Sequence, residues 1–454
     1  LRILFFTAQD QNDAALQAGM EALDELDMGL PTEPEEAEAF RGELQRELPP
    51  AGSRIEDLAR LPEMTDPRQL AGLRVLMHLT APAHRTKPAL LETIISRMVL
   101  LAVRQGNSPM AAVAYGWHGA LLCGRADSIE MGYRYGRLSL EVLRRFPAPE
   151  LEAKVAFLFN TFVRHWKEHA RECVAPLQDV YRRGVETGDL EYTYYGAIHS
   201  CGYLFCTGAP LELIRRKQAE YQGAMERLRL PFHSQLARIW GQTVANLCGD
   251  TADPCRLIGE RFDESKWLPG WIEEHNSLLV FSALCCRTML QYLFGDYAGA
   301  VASGRLAEAH AHAAQGFLYQ ANHCFYYALA LLAHHAQADS AGREEGLRVV
   351  TRLTGQLTQW AALAPMNFAH KLALVEAEQA RLTGENGRAM ERFNHAIRLA
   401  RESGCLQEEA LAYEREAVFY TALDREDIAG LSLQKAVDAF KSWGASRKVV
   451  DLER

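Results

Sequence analysis

Gly295-Asp296-Tyr297-Ala298-Gly299-Ala300-Val301-Ala302-Ser303-Gly304-Arg305-Leu306-Ala307 and Gly384-Glu385-Asn386-Gly387-Arg388-Ala389-Met390-Glu391-Arg392-Phe393-Asn394-His395-Ala396 share one layout. Each has a glycine turn, a new helix start, and then residues spaced four and three apart: Ala300, Gly304 and Ala307 in one, Ala389, Phe393 and Ala396 in the other. Ala429, Leu433 and Ala436 repeat the spacing, as do Gly132, Gly136 and Ser139 after a turn at 124–127. Small residues on one helix face let a neighbouring helix approach closely, so these stretches predict the second helices of α-α hairpins. Working outward, the apolar residues keep a helical period: Val155, Phe159, Phe162, Val163 and Trp166 form one stripe, and Leu406, Ala410, Tyr413, Ala417 and Tyr420 another. Ser108-Pro109 and Asp66-Pro67 each read as an N-cap followed by proline at the first helical position. No run of alternating β-branched residues stands out, so no sheet is expected.

Ala389 and Ala429 are 40 residues apart, longer than the about 34 of a standard tetratricopeptide repeat (TPR). The predicted fold is therefore all-α, a TPR-like α-α hairpin repeat solenoid, or superhelix, in which each hairpin buries its remaining face on the next. That sharing of one core along a stack explains how 454 residues can form one unit where length alone suggests about three domains. Residues 1–60 differ. Pro31 to Pro34 and Pro49-Pro50 interrupt less periodic helices, and Glu33, Glu35, Glu36 and Glu38 cluster. The expected organisation is a helical lead-in over 1–60 and a continuous TPR-like repeat domain over 61–454.

A hydrophobic content of 48% with 24% charged residues is an ordinary globular balance, and a net charge of -9 argues against a general affinity for nucleic acid or anionic lipid. The longest apolar runs, such as 278–286, fall short of the about 20 residues of a membrane span. The ten cysteines include no C-x-x-C pair and most sit among apolar neighbours, so they read as buried thiols of a reducing, cytoplasmic compartment. The chain begins at Leu1, which reads as the start of an excised fragment.

Catalytic signatures are missing. Gly-Lys never occurs, so there is no phosphate-binding P-loop, and no G-x-G-x-x-G, G-x-S-x-G or His-Arg-Asp is present. His165-Trp166-Lys167-Glu168-His169 does match the inverted zincin pattern, in which two imidazoles four apart on a helix bind zinc and the glutamate acts as general base. Its structural alternative is a capping or pairing role at the end of a helix. His310-x-His312 and His334-His335 do not share a helix face and read as solvated positions. The expectation is no catalytic residue, no cofactor and no metal in this chain. A concave groove, if formed, is expected around Arg164, His165, Trp166 and His169, and then around Tyr192, Tyr194 and Tyr195, which combine cationic, aromatic and hydrogen-bonding groups. Tyr194 and Tyr195 are adjacent, which places one of them off the core stripe.

Several stretches together resemble a known family: 61–67 (LPEMTDP), 106–109 (GNSP), 159–169 (FNTFVRHWKEH), 186–192 (ETGDLEY), 292–297 (YLFGDY), 364–368 (APMNF) and 443–445 (WGA). From about Asn12 onward the chain resembles the helical-repeat region of very large signalling proteins. In that family a Ser/Thr-kinase-like domain and a STAND-type, AAA-like ATPase precede the repeats. A GAF domain and a sensor histidine kinase of a two-component system often follow. The resemblance implies that residues 14–31 continue from the ATPase module, and that ATP hydrolysis and phosphotransfer belong to flanking domains. It implies a non-catalytic sensory and regulatory scaffold whose partners are a protein, a small-molecule signal or the flanking domains. The rival readings are a structural spacer or oligomerisation module and, more remotely, a zinc metallo-enzyme built on His165, Glu168 and His169.

Overall fold

A computed structural model describes residues 1–31, 33–48, 54–125, 127–228 and 230–454. The break expected at Pro49-Pro50 lies outside them, as do Thr32 of the 31–34 stretch and Ala126 of the turn at 124–127. Among the described residues the secondary structure is helical, with two isolated β-bridges and no strand. No helix there is long and apolar enough to cross a membrane. The contacts divide the chain into two compact units. One holds residues 1–164, 175–199 and 228–233, and the other 165–174, 200–227 and 234–454.

The second unit carries four consecutive helical hairpins: Ser277–Leu293 with Tyr297–Ala309, Leu318–His334 with Ser340–Leu363, Pro365–Leu382 with Asn386–Glu402, and Leu406–Thr421 with Glu426–Trp443. The first helices of successive hairpins also pack on one another, which is the nearest-neighbour stacking of a TPR-like repeat. Most of the spaced positions behave as read: Ala300, Gly304 and Ala307 are buried, as are Ala389, Phe393 and Ala396, whereas Leu433 is half-buried between the buried Ala429 and Ala436. Gly295 turns with φ +82°, and Asp296 accepts the Gly299 N–H at 2.9 Å. Glu378 is buried between two of the stacked helices, and each of its oxygens accepts a bond of 2.7 Å, from Arg381 and from Arg415.

In the first unit the short helices Arg2–Ala8, Asn12–Glu25 and Pro34–Glu47 pack on the hairpin of Pro67–Thr86 with Pro88–Gln105. Asp66 caps its helix by accepting from the N–H groups of Arg68 and Gln69. Ser108 occupies its predicted N-cap place without a side-chain cap bond. The hairpin of Pro109–Cys123 with Ile129–Arg145 brings the two helix backbones close together at Gly119, Gly132 and Gly136. A Cβ at Gly132 would stand 2.8 Å from both the Gly119 carbonyl oxygen and the Cys123 nitrogen. Backbone cannot give way there, so Gly132→Ala is expected to destabilise by about 1–3 kcal/mol in a denaturant titration. Gly355 has open space around it, and Gly355→Ala is expected to be neutral or stabilising by up to about 1 kcal/mol.

Two local readings change. The apolar stripe from Val155 to Trp166 is not one α-helix: Pro149–Leu158 gives way to a π-turn over Phe159–Val163 and a 3-10 turn over Arg164–Trp166. The wider turn keeps all five residues of 159–163 buried, which a 3.6-residue period would not. Tyr194 and Tyr195 are both buried, at 3% and 9% exposure, because the middle of Leu190–Cys206, residues 192–203, is buried throughout rather than along one stripe. The ten cysteines are free thiols, eight of them buried and Cys248 and Cys255 half-buried.

Candidate ligand-binding cavity

A cavity of about 800 Å³ opens within the first unit, a size typical of small-molecule sites. Its walls come from Arg2–Ala8, Pro67–Thr86, Pro149–Leu158, the start of Leu190–Cys206 and residues 187–189 and 230–233. At its edge the last turn of Pro67–Thr86 delivers Arg85, whose side chain is only 6% exposed. Its guanidinium donates to Asp10 Oδ1 at 3.0 Å, to the Tyr195 hydroxyl at 3.1 Å and to Glu191 Oε1, and it lies 5.1 Å from the centre of the Phe232 ring. Planar, multidentate geometry of this kind suits arginine. Asp10 reaches it from a left-handed turn, φ +57°, that follows the first helix.

Burial raises the pKa of Asp10 and of Glu191, and the Arg85 charge pulls each partly back. Burial works against the charge on Arg85, but Tyr195, Glu191 and Asp10 more than offset it, so Arg85 stays protonated. Burial pushes the Tyr195 phenol up to about 12. His78 and His233 also line the cavity. Burial lowers both, His78 to about 4 with help from the Lys154 charge, so both imidazoles are neutral at pH 7. Lys154 is 7% exposed, with its ammonium 4.8 Å from the centre of the Tyr192 ring.

The residues read as a groove take other places. Tyr192 packs under Lys154 and Tyr195 bonds Arg85, so both support the cavity from behind, and neither lines it. Tyr194 meets Tyr181 with ring centres 6.1 Å apart, and Arg164 donates to Asn160 at 3.4 Å. In the second unit His165 is fully buried, its Nδ1 2.8 Å from the Tyr203 hydroxyl, and burial lowers its pKa to about 3. Trp166 is stacked on Phe368, and its indole N–H donates to the Gly316 carbonyl at 3.3 Å.

His169 accepts from the Arg171 N–H through Nδ1 and lies 3.1 Å from the Ser403 carbonyl through Nε2. The inverted zincin pattern is therefore not presented on a helix. The chain leaves helical geometry after Trp166, both His169 nitrogens are engaged with backbone, and the two imidazoles do not form a ligand pair. Asn367 holds this segment: its Nδ2 donates to the carbonyls of His165 and Glu168 at 2.7 and 2.8 Å, and its Oδ1 accepts the Ala170 N–H at 2.9 Å.

His310, His334 and His335 are half-buried and only His312 is exposed, so the solvated reading holds for one of the four. Elsewhere in this unit His370, Cys405 and Glu408 bring one possible ligand atom each to within 4.8 Å of one another. The Lys371 ammonium already pairs with Glu408 there, so a metal ion would have to share that carboxylate with a buried cation.

Sequence reasoning missed Asp10, His78, Arg85, Lys154 and Glu191. One signal was present. Lys154 stands one turn after Leu151 and next to Val155, inside an otherwise apolar stripe, and a charge on a buried stripe marks a functional or paired position.

No protein-family model matches the chain, and no curated protein matches it. Among solved structures it is similar to a Rap protein complexed with Competence and Sporulation Factor. That likeness has 11% identity and a TM-score of 0.35, over 95% of this chain and 99% of the other. It is also similar to a circular tandem repeat protein with novel repeat topology and enhanced subunit contact surfaces, at 15% identity and a TM-score of 0.20, over 99% and 97% of the two chains.

Proposed function

We propose that this chain is a non-catalytic sensory and regulatory region of a larger signalling protein, and that the cavity of its first unit takes a small-molecule signal. The observation that carries the reading is the cavity itself: about 800 Å³, walled in part by the first helix, with Leu4, Thr7, Ala8 and Asp10 on its lining. A ligand seated there contacts residues 4–10 and the helix Pro67–Thr86 together. Binding then favours the arrangement in which both are in place, a shift of population driven by differential contacts. In the family that the sequence resembles, residues 1–60 are the lead-in from an ATPase module and 61–454 the repeat domain, in the cytoplasm. A change at residues 4–10 would then reach the ATPase, and through it a kinase output, with the flanking domains as partners.

Native mass spectrometry of the protein purified without denaturant tests the reading. A small-molecule adduct is expected on the wild type and should be lost in Ala81→Trp, which fills the cavity from Pro67–Thr86. Wild type and variant with identical, adduct-free spectra, together with unchanged uptake of added cellular metabolite extract, would contradict it.

A further inference from the structure

Resting on the reading of the cavity as a ligand site, we infer that it selects a compact organic acid carrying a single carboxylate, which Lys154 receives. Lys154 is more than nine-tenths buried, at 7% exposure, and lines the cavity. Among the described residues its ammonium has the Tyr192 ring beside it and neither a hydrogen-bond nor an ion-pair partner. The other deep cation, Arg85, is saturated by Asp10, Glu191 and Tyr195. Glu191 feels the charge of Lys154, but its carboxylate is already held by Arg85. The Lys154 side chain is buried while the residue lines the cavity, so an ammonium there is only partly hydrated and an incoming carboxylate gains a charged contact in a low-dielectric setting.

The rest of the lining sets the class of acid. Met64, Met77, Met110, Leu70, Leu151 and Leu190 supply apolar wall, and methionine adapts to irregular ligand shapes. Three cations, Arg74, Arg85 and Lys154, face five carboxylates, Asp10, Glu63, Glu150, Asp189 and Glu191, so the lining has a net charge of 3 − 5 = −2. Glu63 and Glu150 are exposed and Asp189 is half-buried. This field repels nucleotides and other polyanions, while one carboxylate reaching Lys154 meets the cation of the lining that is buried and without an ion-pair partner among the described residues; Arg74, which also has none, is exposed.

Titration calorimetry with 2-naphthylacetate, 2-naphthylacetamide and 2-naphthyl phosphate tests the assignment. The carboxylate is expected to bind at least about tenfold more tightly than the amide, as one good charged contact provides, and more tightly than the phosphate. Lys154→Met, which keeps the aliphatic stem, should erase the preference for the carboxylate, and Lys154→Arg should keep it. Equal binding of amide and carboxylate, a preference for the phosphate, a preference that survives Lys154→Met, or no binding of any probe would overturn the inference. Binding of all three probes that is unchanged in Ala81→Trp would instead overturn the cavity reading.

Discussion

Arg85→Ala is expected to lower the unfolding free energy of the first unit by about 3–5 kcal/mol at pH 7.5, because it leaves two partly buried carboxylates facing one another without their cation. Asp10 and Glu191 are 29% and 23% exposed at the side chain, so solvent screens them only in part. The pH dependence distinguishes this from a simple loss of packing. Both carboxyls have folded pKa values raised above the unfolded ones. Their contribution is thus fully present below the unfolded values, near 4, and is lost as pH rises through the folded ones. Arg85 lowers both folded values, so removing it raises them further. The deficit of the variant should be largest at neutral pH and shrink as pH falls toward the ordinary carboxylate range. Urea titrations at pH 7.5 and 5 measure it, and hydrogen exchange in 2–8 and 190–199 should quicken in the variant. A deficit independent of pH would mean that Arg85 acts through packing alone.

Asn367→Ala is expected to cost about 3 kcal/mol or more in the second unit. One side chain, itself 4% exposed, satisfies three backbone groups of the 165–170 segment. Each buried group left unpaired costs about 1–3 kcal/mol. Only one orientation of the amide serves one N–H and two carbonyls, so Asn367→Asp is a sharper probe than alanine. The carboxylate still accepts from Ala170 but turns an oxygen toward the carbonyls of His165 and Glu168. It should destabilise at least as much as alanine despite its matching size. Denaturant titration and the Trp166 emission report both variants, and a wild-type-like Asn367→Asp would contradict the role given to the amide.

The sequence was most informative where structure is local. Asp66 with Pro67, Gly295 with Asp296 and the spaced small residues of 300–307 each act within about one helical turn, so their reading needed no knowledge of the rest of the chain. The stripe from Val155 to Trp166 misled because a π-turn changes the register without changing the apolar composition. The cavity was not legible for a different reason. Arg85 joins residues 75 and 106 positions away along the chain, and no local pattern encodes such a meeting. Adjacent tyrosines suggested a surface because one stripe cannot hold both, whereas residues 192–203 of that helix are all buried. The His165 to His169 spacing kept a remote zinc alternative in view because it assumed a continuous helix, which the structure interrupts.

Hydrogen exchange of the full chain with and without saturating 2-naphthylacetate tests the central claim most directly. Added protection is expected in 2–10, in the last turns of Pro67–Thr86 and at the start of Leu190–Cys206, the segments that wall the cavity and meet at Arg85. Protection confined to other segments while the probe is bound would contradict a ligand-gated cavity that reports through the first ten residues.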